Sequence, residues 1–264
     1  MKNKAVKKLI LFFDSGLGGL TTLLQAEKLL PNENFVYICD SKNSPYGNLS
    51  KKQIKEIIFH NVSFFCAKYN PKAIVLACNT ITSVAINDLR HKFPNLIIIG
   101  AEPAIRPAIQ SVKNKILVLG TKATLAHSAL VKLFKANNQA KIIFYPLEDL
   151  ASLVDEFFLT NTQIISDYLK EKLSKFNGKV DGVVLGCTHY VIVKKEIKKI
   201  LGNVTLFNGN LGIAKRLKQC LGVMNLLSNG NGAIKLVSTD FRFKTLLLES
   251  YTKLLERRDE ICVV

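Results

Sequence analysis

The chain has 264 residues, of which 48% are hydrophobic and 22% are charged, so it can bury a substantial core and is neither disordered nor fibrous. Lys and Arg number 37 against 20 Asp and Glu, which gives a net charge of +17. Only six of the basic residues are Arg, the residue that bidentate recognition of phosphates and bases favours. Lysines on the solvent faces of helices explain the charge, so nucleic acid is not the expected partner.

Short apolar runs rich in β-branched and aromatic residues predict strands that are buried on both faces. They cover residues 9–13, 35–39, 73–77, 96–99, 116–119, 142–145, 183–185 and 234–237. Helical patterns lie between them. In the clearest, Ser50 and Gln53 have the spacing of a capping box ahead of an apolar stripe over residues 54–65, and similar stripes cover 165–176 and 247–255. This alternation predicts an α/β fold of mainly parallel sheets covered by helices.

Two segments of the chain resemble each other. Residues 72–80 and 181–189 each contain a buried strand, a small residue, a cysteine and small polar residues, so that Cys78 and Cys187 occupy equivalent places. A weaker similarity pairs residues 11–15 with 117–121. We therefore expect two similar lobes, residues 1–101 with 206–264 and residues 102–205, whose strand ends face a common cleft that holds the active site.

Cysteines at strand ends suggest proton transfer. A thiol where a buried strand meets a helix lies near backbone N–H groups and the positive end of the helix dipole, which favour thiolate. Inverting a carbon centre without a cofactor needs a base on one face and an acid on the other, a task that suits Cys78 and Cys187. A hydrolase in which His189 activates one thiol is an alternative, but it leaves Cys78 unexplained. The other cysteines are expected in the core: Cys39, Cys66, Cys220 and Cys262.

The loop Asp14-Ser15-Gly16-Leu17-Gly18-Gly19 follows the first strand, and its glycines would let backbone N–H groups approach a carboxylate at a helix start. A dinucleotide or phosphate loop is a rival interpretation, although the glycine spacing does not match one, and a simple tight turn is also open. Pro45-Tyr46-Gly47 predicts a turn in an exposed loop. The four histidines lack metal-ligand spacing, so no metal site is expected.

Targeting signals are not evident in the sequence. The apolar run at residues 9–13 follows several lysines but stops at Asp14, which is too short for a signal peptide, and no stretch has the length of a transmembrane helix. We expect a cytoplasmic protein with no membrane partner. Its cysteines should be free thiols, since no pair has Cys-x-x-Cys spacing.

Five motifs resemble those of the glutamate racemases, in the family's order: DSGLGGL at 14–20, PYG at 45–47, ACNT at 77–80, EPA at 102–104 and GCTHY at 186–190. The resemblance implies cofactor-independent interconversion of L- and D-glutamate, a small-molecule substrate, D-glutamate supplied for peptidoglycan synthesis, and a homodimer. His189 favours glutamate, because similar enzymes that act on aspartate tend to carry an acidic residue there. An aspartate or broad-specificity racemase, and a catalytically silent relative that binds a partner, are the alternatives.

The same resemblance assigns roles by position. Cys78 would take the α-proton of D-glutamate and Cys187 that of L-glutamate, while Asp14 and His189 match groups that assist the thiols or bind the substrate ammonium. The matching substrate-binding positions are Ser15, Tyr46, Gly47, Asn79, Thr80 and Thr188, with Thr121 and Thr124 as further candidates. The family's carboxylate near the second thiol does not align cleanly. Glu156 is the expected supporting carboxylate, with Asp155 as the alternative.

Overall fold

The computed structural model describes residues 9–136 and 141–262; the lysines ahead of the first strand lie outside this part of the chain. Within it, strands recur at the predicted places and at one further place, β8. They are β1 (Leu9–Asp14), β2 (Asn34–Cys39), β3 (Ala73–Leu76), β4 (Ile97–Gly100), β5 (Ile116–Gly120), β6 (Ile142–Pro146), β7 (Gly182–Gly186), β8 (Thr205–Phe207) and β9 (Ala233–Ser238).

Helices connect the strands. They are α1 (Leu20–Leu29), α2 (Lys51–Tyr69), α3 (Asn79–Lys92), α4 (Ile105–Ser111), α5 (Lys122–His127), α6 (Ala129–Ala136), α7 (Leu150–Phe157), α8 (Thr162–Leu173), α9 (Thr188–Ile192), α10 (Lys194–Leu201), α11 (Asn210–Val223), α12 (Lys244–Glu256) and α13 (Arg258–Ile261). The predicted capping box begins α2: the Gln53 N–H donates to Ser50 Oγ at 3.3 Å, and the Ser50 N–H donates to Gln53 Oε1 at 3.0 Å.

The strands form two sheets, ordered β4-β3-β1-β2-β9 and β6-β5-β7-β8, and each paired strand in the described residues runs parallel to its neighbour. The predicted α/β architecture is therefore confirmed. We call the sheet β4-β3-β1-β2-β9 with its helices the first lobe and the sheet β6-β5-β7-β8 with its helices the second lobe. In each lobe the strand that precedes Cys78 or Cys187, β3 or β7, lies beside a central strand, β1 or β5.

The chain returns to the first lobe after β8: Asn210, the first residue of α11, forms hydrogen bonds with Thr21 and Thr22 of α1, and β9 then pairs with β2. Residues 205–207 form β8 and pair with β7, so the predicted boundary between residues 205 and 206 falls inside a strand of the second sheet. The division into residues 1–101 with 206–264 and residues 102–205 stays a prediction.

Alternating residues of the central strands face different cores. Ile10 and Phe12 of β1 belong to one buried cluster, whereas Leu11 and Phe13 belong to the cluster under α2 and α3. The first of these clusters also contains Leu117 of β5, together with other residues of the second lobe. Each fully buried side chain of this size contributes about 1.5–3 kcal/mol. The shared core therefore fixes how the strand ends of the two lobes face each other.

Candidate active site

Each of the two predicted thiols lies at the carboxyl end of its strand. Cys78 follows β3 and is the N-cap residue of α3, while Cys187 follows β7 and is the N-cap residue of α9. Their exposed fractions are only 6% and 8%. Both sulfurs are therefore hidden from solvent, in surroundings where a neighbouring charge or hydrogen bond acts strongly.

A hydroxyl group is the nearest polar partner of the first thiol. Ser15 Oγ lies 3.8 Å from Cys78 Sγ. Burial raises the pKa of Cys78 to about 12, the charges of Asp14 and Cys187 act in the same direction, and the Ile81 backbone N–H and Ser15 oppose them. The expectation that the helix N-terminus favours thiolate is wrong for Cys78, because desolvation outweighs the backbone donor. Cys78 therefore carries its proton at neutral pH.

An imidazole group is the partner of the second thiol. His189 Nδ1 lies 3.8 Å from Cys187 Sγ, and His189 Nε2 lies 2.8 Å from Asp155 Oδ1. Burial alone would lower the pKa of His189, but the charge and hydrogen bond of Asp155, together with Cys187, raise it well above its usual value. The imidazolium donates to both partners. Its positive charge lies beside the Cys187 sulfur, whereas Cys78 has a hydroxyl group as its partner, so the two thiols differ in what surrounds them.

Asp14 lies between the lobes at the end of β1 and is fully buried. Its carboxylate accepts the Gly16 N–H at 3.0 Å and the Thr188 Oγ1–H at 3.2 Å. Burial raises the pKa of Asp14 to about 6, while the charge of His189 lowers it and that of Asp155 raises it. The group is thus mainly ionised at pH 7, and its charge acts on Cys78.

The carboxylate that faces the site is Asp155, the alternative, rather than the expected Glu156. Asp155 is buried on the inner side of α7 and contacts His189, whereas Glu156 is exposed. Consecutive helical residues are rotated by about 100°, so only one of the two can face the site. The apolar stripe of α7 contains the signal that would have decided between them, because Asp155 shares the inward face with Ala151 and Phe158.

The glycine loop packs against the second lobe. A Cβ at Gly16 would lie 2.3 Å from Asp155 Oδ2, and one at Gly18 would lie 2.4 Å from Thr188 Oγ1. The Gly16 N–H is taken by Asp14, and the Leu17 N–H donates to Asp155 Oδ1 at 2.9 Å. The backbone groups that were expected to hold a substrate carboxylate therefore hold carboxylates of the protein itself.

Tyr37 is a site residue that the sequence does not reveal, because it occupies an ordinary buried position of β2. Its hydroxyl donates to the Gly16 carbonyl at 2.6 Å, and the side chain is fully buried. Tyr37 thus holds the glycine loop at the Gly16 carbonyl.

Three threonines that were predicted to bind substrate meet across the cleft. Thr80 Oγ1 of the first lobe lies 2.9 Å from Thr121 Oγ1 and 3.4 Å from Thr124 Oγ1 of the second, and the last two are 3.0 Å apart. Asn79, next to Cys78, donates to the Ala101 carbonyl at 3.1 Å. A Cβ at Gly47 would lie 3.5 Å from Thr121 Cβ, so the predicted substrate-binding positions converge on one cleft.

Tyr46 is buried, which corrects the expectation of an exposed loop at this position. Its hydroxyl donates to Asp40 Oδ2, a carboxylate that also accepts hydrogen bonds from Asn61 Nδ2 at 3.0 Å and Thr239 Oγ1 at 2.7 Å. A buried tyrosine hydroxyl needs such a partner. Asp40, at the end of β2, therefore holds the Pro45-Tyr46-Gly47 loop in place.

Residues 9–136 and 141–262 contain no helix with the length and apolar character needed to cross a bilayer. In these ranges no three His, Cys, Asp or Glu side chains come together in a way that could hold a metal ion.

A family profile and individual relatives both match this chain as racemases. The sequence profile described as Asp/Glu/Hydantoin racemase matches residues 24–216. A glutamate racemase of Clostridium novyi (strain NT) is 43% identical over 214 residues, which cover 80% of this chain and 82% of the relative.

Solved structures agree with this assignment. A glutamate racemase isoform from Bacillus anthracis superposes with a TM-score of 0.79 at 29% identity and covers 96% of this chain and 94% of its own. The Francisella tularensis glutamate racemase, solved in complex with D-glutamate, superposes with a TM-score of 0.78 at 29% identity, covering 94% and 95%. The resemblance seen in the sequence motifs is confirmed, and the chain belongs to the Asp/Glu/hydantoin racemase family of isomerases.

Proposed function

We propose that this protein interconverts L- and D-glutamate by moving the α-proton between two thiols, without a cofactor. The observation that carries the proposal is the placement of Cys78 and Cys187 at equivalent strand ends of two parallel sheets, where Asp14 and Cys187 both act electrostatically on Cys78. Relatives named glutamate racemase, and one of them with D-glutamate bound, support the choice of substrate.

The different partners of the thiols suggest their roles. In the L-to-D direction, the Cys187 sulfur beside the His189 imidazolium takes the α-proton: the Cα–H bond breaks and an S–H bond forms. Cys78, which carries a proton at neutral pH, then protonates the opposite face, so that its S–H bond breaks and a new Cα–H bond forms. In the D-to-L direction the two thiols exchange roles.

The remaining polar groups fit a small zwitterion with an extra carboxylate. The ionised Asp14 is a partner for the substrate ammonium. The hydroxyl group of Ser15 lies beside Cys78, and that of Thr80 lies two residues after it; both can donate to the α-carboxylate, which needs donors while negative charge develops at Cα. We extend the proposal to the supply of D-glutamate for peptidoglycan synthesis. The homodimer implied by the sequence resemblance stays a prediction.

A substrate panel tests this proposal directly. Circular dichroism should show racemisation of both glutamate enantiomers, with a higher kcat/KM than for aspartate. Cys78→Ser and Cys187→Ser should each lower kcat by about 10³-fold, because the serine hydroxyl is a far weaker acid and base. Cys220→Ser, a change in α11 outside the site, serves as the matched control and should leave kcat unchanged.

Two outcomes would contradict the proposal. A higher kcat/KM for aspartate would replace glutamate as the substrate, and a folded wild-type protein that racemises neither amino acid would favour a silent binding relative. Cys78→Ser or Cys187→Ser with activity equal to that of the Cys220→Ser control would refute the two-thiol mechanism.

A further inference from the structure

We propose that closure of the two lobes fixes the orientation of the His189–Asp155 pair, and that Ser44 is a positioning residue in this step. The inference rests on the proposed racemase function for its kinetic consequence, but its structural content is independent of the substrate. It assigns a role to a serine that no motif includes.

The three hydrogen-bond partners of Asp155 come from both sides of the cleft. His189 Nε2 of the second lobe lies 2.8 Å from Oδ1. From the first lobe, the Leu17 N–H donates to the same oxygen at 2.9 Å, and Ser44 Oγ donates to Oδ2 at 3.2 Å. Two of the three partners are thus lost whenever the lobes separate.

This structure is a closed form. Both sulfurs are almost fully buried, and Thr80 of the first lobe contacts Thr121 and Thr124 of the second lobe across the cleft. A substrate therefore reaches the thiols only after the lobes have moved apart. On opening, Asp155 keeps His189 as its partner, and its carboxylate loses the two donors that fix its orientation.

The orientation of Asp155 matters because it determines the direction of the imidazole ring. With Nε2 directed at Asp155, Nδ1 faces Cys187 Sγ at 3.8 Å. In activated thiols, the base or cation beside the sulfur is usually held in its orientation by a third group, which here is Asp155. Closure thus adds the two first-lobe donors that fix the direction of the imidazolium toward Cys187.

Ser44 is the side chain through which this coupling can be tested. The Leu17 donor is a backbone group that no side-chain substitution removes, whereas Ser44→Ala deletes the second donor alone. Ser44 is half-buried and directly precedes Pro45, so its bond to Asp155 also ties the loop of Tyr46 and Gly47 to the second lobe.

A double-mutant cycle measures the coupling. Ser44→Ala should lower kcat about tenfold, as expected for a partly exposed hydrogen bond to a charged group, and Ser44→Thr, which keeps the hydroxyl, should restore it. In an Asp155→Ala background the same Ser44→Ala change should cost less than twofold. Ser174→Ala removes an exposed hydroxyl that donates to the Lys170 carbonyl far from the site, and it should leave kcat unchanged.

Amide hydrogen exchange gives a second readout that needs no activity. The Leu17 amide should exchange at least tenfold faster in Asp155→Ala, and faster in Ser44→Ala, while the Ala77 amide, bonded to the Phe13 carbonyl within the first sheet, should not change. Equal kinetic losses from Ser44→Ala in both backgrounds, or an unchanged Leu17 amide in Asp155→Ala, would overturn the inference. A wild-type protein without racemase activity but with the predicted exchange would refute the proposed function and leave the closure intact.

Discussion

A methyl group at Gly16 is expected to disable the site without unfolding the chain. The added Cβ would lie 2.3 Å from Asp155 Oδ2 and 2.6 Å from His189 Nε2, whereas ordinary van der Waals contact begins at 3.4 Å. The Asp155–His189 pair must therefore move by about 1 Å, and a displacement of that size at a reacting centre costs about 10²-fold in rate. We expect Gly16→Ala to lower kcat/KM by about that factor, with about 1–3 kcal/mol of overpacking strain in the free energy of unfolding.

The matched control is Gly212→Ala in α11, where an added Cβ meets no atom within 4 Å. This variant should keep full activity and gain up to about 1 kcal/mol of stability, because alanine favours the helix. Enantiomers have equal free energies, so kcat/KM for L- and D-glutamate must fall by the same factor in Gly16→Ala, which checks the kinetics internally. Activity of Gly16→Ala within twofold of wild type would refute the argument that the loop packs on the catalytic pair.

The remaining predictions concern three charged groups. Because burial raises the pKa of Asp14 to about 6, kcat/KM of the wild-type protein should fall as the pH drops through 6. In Asp14→Asn this acidic decrease in the pH profile should be absent. The same raised pKa means that the stabilising contribution of Asp14, present below about pH 4, is lost as the pH rises through 6, so Asp14→Asn should raise Tm at pH 8 and lose this advantage in acid. Glu156→Gln should leave kcat within twofold of wild type, since Glu156 is exposed; a large loss would reinstate it as the supporting carboxylate. Lys72→Met should lower the free energy of unfolding in urea by about 3–5 kcal/mol, because the buried Glu33 carboxylate, which is 1% exposed and lies 2.5 Å from Lys72 Nζ, loses its cationic partner. A decrease under about 1 kcal/mol would contradict this.

The fold was predictable where each strand is apolar on both faces. β1 and β5 carry alternating side chains into two different cores, and this pattern is visible in the sequence as a continuous apolar run. β8 escaped detection because it has only three residues, of which Thr205 is exposed. The end of the second lobe depends on the pairing of β8 with β7, and a local sequence pattern does not contain this pairing.

The site was predictable in its residues but less so in its electrostatics. The motifs pointed to Cys78 and Cys187. The pKa of Cys78, however, is raised by burial and by the charge of Asp14, and both effects depend on tertiary structure that the motifs do not contain. Asp155 was distinguishable from Glu156 only by its position on the apolar stripe of α7. Tyr37 has no sequence signal, because a hydrogen bond to the Gly16 carbonyl depends on tertiary contact.

The central claim, that two acid/base groups flank opposite faces of one α-carbon, is tested most directly by a reaction in D₂O stopped at a few per cent conversion. Starting from protiated L-glutamate, the D-glutamate formed should carry one deuterium at Cα, while the remaining L-glutamate should carry almost none. A D-glutamate product that retains protium, or deuterium entering the residual L-glutamate as fast as the product, would contradict the two-thiol account.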